Sequence, residues 1–270
     1  MATALVAGIT ALAIAAFVPG AASATTLESR IVPAATGDTG WLRLGHLSPD
    51  TKSVDVRVAA LSGGQTLFEL AGVAYGDVSP YSELPAGNYT VSMVPAGAAV
   101  STAPVISATI SIEPGTATTV AAYGPTKALQ VRAFPDDLTQ PAAGNARIRL
   151  IQASTLTDTV DVNTSTGTAI AQKAKAGSAT GYAEIAAGDW TLNLTGGTVT
   201  DSAKVTVAPG SVTTLFVLDT ADGGLTILPV VDSASVGYVP VGSVSTGGGY
   251  LAAHGQDSAP SRLDIGWSVR

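Results

Sequence analysis

The chain is 270 residues long, carries 13 basic and 20 acidic residues for a net charge of −7, and contains no cysteine. These values exclude disulfide staples, thiol chemistry and a cysteine-linked lipid; the absence of any basic run excludes a nucleic-acid binder, which needs clustered Lys and Arg. Only 12% of residues are charged, so Thr, Ser, Ala and Gly dominate the surface.

Ala2 to Val18 has no charged residue, Pro19-Gly20 breaks the run, and Ala22-Ser23-Ala24 has the small-x-small form of a cleavage site. Residues 1–24 therefore read as a secretory signal peptide, although no Lys or Arg precedes the apolar run. The run is shorter than the ~20 apolar residues that a membrane span needs. No later stretch could cross a bilayer, so no transmembrane segment is expected in the mature chain. Residues 25–40 are polar, contain Pro33, Gly37 and Gly40, and read as a flexible lead-in.

From Trp41 the apolar pattern has period two. Val54, Val56 and Val58 alternate with Asp55 and Arg57; Tyr89, Val91 and Met93 with Thr90 and Ser92; Ala108, Ile110 and Ile112 with Thr109 and Ser111. Short, β-branched, half-polar runs predict strands with one buried face. Glu113-Pro114-Gly115 closes a turn, since proline fixes φ and glycine accepts positive φ. Thr139 to Asn145, with Pro141 and Gly144, is a short linker, and the pattern then begins again. Ala169 to Ala176, the best helix candidate, is cut off by Gly177. Trp190, Leu192 and Leu194 form one face of the next strand, Leu215 to Leu218 reads as a strand buried on both sides, and Leu225 to Val231 closes the unit. Beyond Asp232 the periodicity is lost, and residues 233–270 read as a Gly/Ser-rich, disordered tail.

The two halves repeat each other. Leu42-Arg43-Leu44-Gly45-His46-Leu47-Ser48 aligns without a gap on Ile148-Arg149-Leu150-Ile151-Gln152-Ala153-Ser154, and Tyr81 to Val91 aligns on Tyr182 to Leu192. Residues 41–137 and 146–232 each carry five basic and eight acidic residues. A period of about 100 residues suits a whole domain rather than a solenoid unit. The chain is thus predicted to be all-β, with two tandem immunoglobulin-like β-sandwich domains at 41–138 and 146–232. The short linker predicts that they lie end to end.

The segment Leu42 to Asp50, followed by Val54-Asp55-Val56, Tyr81 and Leu84-Pro85-Ala86-Gly87-Asn88-Tyr89-Thr90-Val91, resembles the domain-of-unknown-function family 4397 over residues 41 to about 232. The second copy departs from the pattern: Gln152 replaces His46, Thr155 replaces Pro49 and Leu156 replaces Asp50. The resemblance brings no assigned activity. It implies placement outside the cytoplasm, as a non-catalytic module in or near the bacterial cell envelope.

Chemistry-bearing residues are few. A Ser-His-Asp site would have to use Ser48, His46 and Asp50, which are almost adjacent, whereas triads are assembled from separate loops; Ser48-Pro49-Asp50 reads better as a turn. Zinc needs convergent ligands that two histidines and no cysteine do not supply. Asp136-Asp137, with Asp50, is the nearest suggestion of a calcium site, but adjacent aspartates are usually a solvated turn. No cofactor is expected. Trp41 at the domain edge is the candidate sugar platform, and Trp41, His46 and Asp50 are the candidate ligand contacts. Trp267 and His254 fall in the tail. Tyr81 and Tyr182 are expected beside the Gly87 and Gly188 turns. Arg43 is expected to pair with Asp55, and Arg149 with Asp161, fixing strand register.

The sequence therefore points to an exported, non-enzymatic, cell-surface protein, extracellular or associated with the cell wall, with a structural, display or interaction role. The alternative is a carbohydrate- or cell-wall-binding module. Cell-wall glycan or another surface protein is the expected partner. A hydrolase centred on His46 would require a concave site at that residue.

Overall fold

The computed structural model describes residues 38–233, apart from Gly63 and Val100. The proposed signal peptide, most of the lead-in, the tail, His254 and Trp267 lie outside the described residues. Among the described residues sixteen strands follow one another: β1 (Thr39–Leu47), β2 (Val54–Ala60), β3 (Thr66–Val73), β4 (Ser82–Pro85), β5 (Gly87–Pro95), β6 (Ile106–Ile112), β7 (Ala117–Tyr123), β8 (Gln130–Asp136), β9 (Asn145–Gln152), β10 (Thr159–Thr164), β11 (Ala169–Lys175), β12 (Ala183–Ala186), β13 (Gly188–Gly196), β14 (Val199–Val207), β15 (Val212–Asp219) and β16 (Leu225–Ser233). A 3-10 turn, Thr126–Ala128, is the only helical segment among the described residues, and no helix there is long and apolar enough to cross a membrane. The chain is all-β, as its periodicity predicts.

The strands form four sheets of identical plan. In the first repeat they run β4-β1-β7-β8 and β3-β2-β5-β6; in the second, β12-β9-β15-β16 and β11-β10-β13-β14. Each repeat is a two-layer sandwich. β1 lies parallel to β7, with Leu44 opposite Val120, and β9 parallel to β15, with Leu150 opposite Leu215. The remaining pairs are antiparallel.

Alternation fills each core. Leu42 and Leu44 of β1 meet Val54, Val56 and Val58 of β2 in the first repeat; Ile148 and Leu150 of β9 meet Val160 and Val162 of β10 in the second. The opposite face of the same central strands is also buried. Leu47, Ala121, Tyr123 and Phe134 of the first repeat pack against Ile151, Ala153, Phe216 and Leu218 of the second in a third apolar cluster. Every residue of β7 and β15 is consequently buried. The two sandwiches do not lie end to end: they stack through β4-β1-β7-β8 and β12-β9-β15-β16. The linker permits this because it only has to turn the chain from the end of β8 to the start of β9. What decides the arrangement is apolar surface that an end-to-end pair would leave in water.

Close approach at this face requires a glycine. A Cβ on Gly177, whose φ is +71°, would run into the Tyr123 ring of the other repeat, and Arg132 Nη1 donates to Gly177 O at 2.9 Å. Reciprocally, Tyr75 Oη accepts from Asp219 N at 2.7 Å and donates to Asp219 O at 3.2 Å.

Phe216 is fully buried in the cluster between the repeats. Phe216→Ala is expected to destabilise the chain by about 3–5 kcal/mol, read from the urea midpoint. A loss below about 1 kcal/mol would show that the sheets do not pack there.

Candidate functional site

A buried polar cluster lies between the repeats. Arg43 on β1 points away from its own core, because Leu42 and Leu44 take the inward positions. It crosses to the other repeat, where Nη1 meets Asp232 Oδ1 at 2.6 Å. Arg149 on β9 makes the reciprocal crossing to Asp136 Oδ1. All four side chains are at most 2% exposed.

Each half completes the same scaffold. Arg43 Nε and Nη2 donate to Thr119 Oγ1 at 3.1 and 2.8 Å, and Thr119 Oγ1 donates to Asp136 Oδ2 at 2.7 Å. Arg149 Nε donates to Thr214 Oγ1 at 2.9 Å, and Thr214 Oγ1 donates to Asp232 Oδ2 at 2.7 Å. Tyr81 Oη donates to Asp136 at 2.6 Å and Tyr182 Oη to Asp232 at 3.2 Å. The guanidinium of Arg43 stacks 4.7 Å from the Tyr81 ring centre, and that of Arg149 4.8 Å from Tyr182. Two cations and two anions leave the cluster neutral. Burial opposes the Arg43 charge, yet Asp232, Tyr81 and Asp136 hold its pKa above the ordinary arginine value. Burial pushes the Tyr81 and Tyr182 phenols upward, so both remain protonated donors.

The expected pairs of Arg43 with Asp55 and Arg149 with Asp161 are therefore not formed. β1 and β2 lie in different layers of one sandwich, and both polar side chains point outward, on opposite sides. Asp55 instead accepts from Gly72 N and Gly97 N, each at 2.8 Å, and Asp161 Oδ1 accepts from Lys173 N at 2.7 Å. The tyrosines are also displaced from their expected place. The turns at Gly87 and Gly188 are met by Tyr89 Oη on Pro85 O and by Trp190 Nε1 on Ala186 O. Tyr81 and Tyr182 belong to the interface.

Asp136 and Asp137 do not offer a free carboxylate pair. Asp136 is committed to Arg149, Tyr81 and Thr119, and Asp137 takes Arg147 Nη2 at 2.6 Å. Among the described residues no group of three or more His, Cys, Asp or Glu side chains could hold a metal. Asp50 is exposed and caps the 3-10 turn, its Oδ1 accepting from Thr126 N at 2.8 Å; that bond holds its pKa below the carboxylate norm. Trp41 is half-buried, with Nε1 enclosed and unpartnered.

His46 is fully buried. Its Nδ1 accepts from Ser48 N at 3.5 Å, and Nε2 has no partner of normal geometry. Gln152, its counterpart, accepts from Ser154 N at 2.6 Å and donates Nε2–H to Thr157 O at 3.1 Å. Histidine and glutamine thus brace the same turn, which explains the exchange between copies. Neither reaches a surface where substrate could meet it.

Residues 40–163 and 157–237 match the family model described as Domain of unknown function (DUF4397). The chain belongs to DUF4397. Its two matched segments agree with a tandem pair of DUF4397 units. No curated protein matches the chain. Among solved structures it is similar to the Bacillus anthracis TIE protein, at 11% identity and TM-score 0.22, over 71% of this chain and 34% of that one, so it spans about a third of that chain. It is similar to the CBM26-family module of Eubacterium rectale Amy13K, solved with maltoheptaose, at 13% identity and TM-score 0.24, over 72% and 97%. It is also similar to a leucine-rich repeat protein from Bacteroides thetaiotaomicron, at 13% identity and TM-score 0.21, over 66% and 26%. Likenesses this distant carry no argument about this DUF4397 chain.

Arg43→Met alone strands Asp232 and is expected to cost about 3–5 kcal/mol. Arg43→Met together with Asp232→Leu removes both charges and is expected to cost less than the sum of the single changes, measured by urea unfolding across the double-mutant cycle. Strict additivity would refute a direct pair.

Burial holds the His46 imidazole below its ordinary pKa of 6.5, against smaller opposing effects from the Lys52 and Thr51 backbone and Asp77. The unfolded chain therefore takes up this proton at a higher pH than the folded one, and stability falls as pH drops below about 6.5. His46→Gln, copying the second repeat, is expected to keep the fold and flatten that fall by up to about 1.4 kcal/mol per pH unit, measured from urea midpoints at about pH 7 and pH 5. An unchanged pH slope would show that His46 does not titrate differently on folding.

Proposed function

We propose that this protein is an exported, non-enzymatic unit that acts as a rigid structural or display element at the cell envelope. One observation carries the proposal: the reciprocal, solvent-sealed exchange of Arg43 to Asp232 and Arg149 to Asp136. A hinge between the repeats would expose that exchange and its apolar flank, so two sandwiches behave as one body. Such a unit suits spacing and presentation better than domain closure around a substrate.

The non-enzymatic part is supported by His46, which would have to serve as base in the Ser48/Asp50 arrangement but is enclosed. Ser48 Oγ is shared with Thr51 Oγ1 at 2.7 Å and donates to Asp50 Oδ1 at 3.4 Å, inside the turn and away from the His46 ring nitrogens. Export is supported by the apolar run and the Ala22-Ser23-Ala24 signature. The alternative, a carbohydrate- or cell-wall-binding module built on Trp41, gains nothing from that half-buried side chain.

Cells separated into medium, wall and membrane, followed by N-terminal sequencing of the recovered chain, test this. The expected result is recovery from medium or wall with Thr25 as the first residue. A chain confined to the cytoplasm with Met1 intact would overturn it.

A further inference from the structure

The outer sheets of the two repeats share one plan, yet one is covered and the other open. In the first repeat, β5 ends at Pro95 and β6 starts at Ile106. The intervening loop folds back over β2. Gly97 N donates to Asp55 Oδ2 at 2.8 Å, and Arg57 Nη2 donates to Ala98 O at 3.4 Å. With Gly72 N on Oδ1, both oxygens of Asp55 are satisfied, and the residue is only 4% exposed.

In the second repeat, β13 ends at Gly196 and β14 starts at Val199, so the covering loop is reduced to a tight turn. Asp161, the counterpart of Asp55, is half-buried. Its Oδ1 accepts from Lys173 N, and no described residue takes the place of Gly97 at Oδ2. Asp161, Asn163, Gln172, Lys173 and Thr195 line a shallow concavity on this face. Thr195 sits directly across from Asp161, and Asn193 across from Asn163, which extends the polar surface along the sheet.

The backbone is distorted at the same place. β10 and β11 change register between Val160 and Val162, leaving Gln172 and Lys173 in a bulge; bulges re-aim side chains. Lys173 has φ +47° and is the only non-glycine residue at positive φ among those described. Its counterpart in the first repeat is Gly72, at φ +66°. A lysine stands where glycine is at ease.

The lining holds one carboxylate, one ammonium, two amides and one hydroxyl. Its charges cancel, so it suits neither phosphate nor a metal ion. It offers donors and acceptors side by side, which is what a sugar hydroxyl, both donor and acceptor, requires. We infer that the outer face of the second repeat binds a neutral, hydroxyl-rich saccharide, with Asp161 Oδ2 and the Asn163 and Gln172 amides contacting its hydroxyls and the bulge presenting Lys173 to it. This inference does not depend on the rigid-element proposal.

The test titrates the isotope-labelled full chain with maltohexaose, cellohexaose, xylohexaose and chitohexaose, following side-chain amide resonances. The expected result is saturable shifts at Asn163 and Gln172 with at least one of these sugars. Asn163→Ala and Lys173→Gly should each weaken that binding about tenfold. Lys173→Gly should also melt no lower than the parent, since glycine accepts the positive φ, which separates lost binding from lost folding. No shift with any of the sugars, or shifts that survive both substitutions, would overturn the site. Either outcome leaves the rigid-element proposal standing, because that proposal rests on the other face of the molecule.

Discussion

Four charged side chains shut inside the molecule govern its architecture. An arginine enclosed by protein costs several kcal/mol unless an anion meets it with good geometry. In this chain each arginine takes its direct ion pair from the other repeat. Arg43 needs Asp232, and Arg149 needs Asp136. The repeats are therefore defined by each other. Threonine and tyrosine hydroxyls meet the other oxygen of each carboxylate. Its net contribution to stability is small compared with its effect on register, since a slip of either sheet would bury a charge against hydrocarbon.

The apolar contacts follow from the same geometry. A strand has two faces, and in a simple sandwich one of them meets solvent. β7 and β15 have no solvent face, and every residue of β1 and β9 is buried or half-buried. Leu42 and Leu44 serve the first core, while Arg43 and Leu47, set between and beyond them, serve the interface. This double duty explains why Leu215 to Leu218 is apolar without alternation.

Much of this is legible in the amino-acid sequence. Period-two runs, Pro-Gly turns and the duplicated Leu42 and Tyr81 blocks identify strands, repeats and class. The partners of the arginines are not. Asp55 is near Arg43 in sequence and also on the polar side of its strand, but the layer separating them is invisible to alternation. The true partner lies 189 positions away. A signal is nevertheless present: Asp136 and Asp232 lie near the ends of corresponding last strands, just as Arg43 and Arg149 sit on corresponding first strands. Matched charges at corresponding positions of both copies mark an interface. His46 illustrates the reverse error. Rarity made it conspicuous, whereas its replacement by Gln152 points to a hydrogen-bonding brace with no need for an imidazole.

The pseudo-symmetric face also sets an order of events during synthesis. The amino-terminal half emerges first, with Phe134, Tyr123 and Leu47 uncovered and Arg43 still hydrated, and its mate has yet to be made. During that interval its natural complement is the corresponding half of a neighbouring nascent chain, because a self-complementary patch fits a twin as well as a sibling. The connector between Asp136 and Asn145 biases the contest. It keeps the following half within reach at high local concentration, so capture within one polypeptide outruns tangling between two.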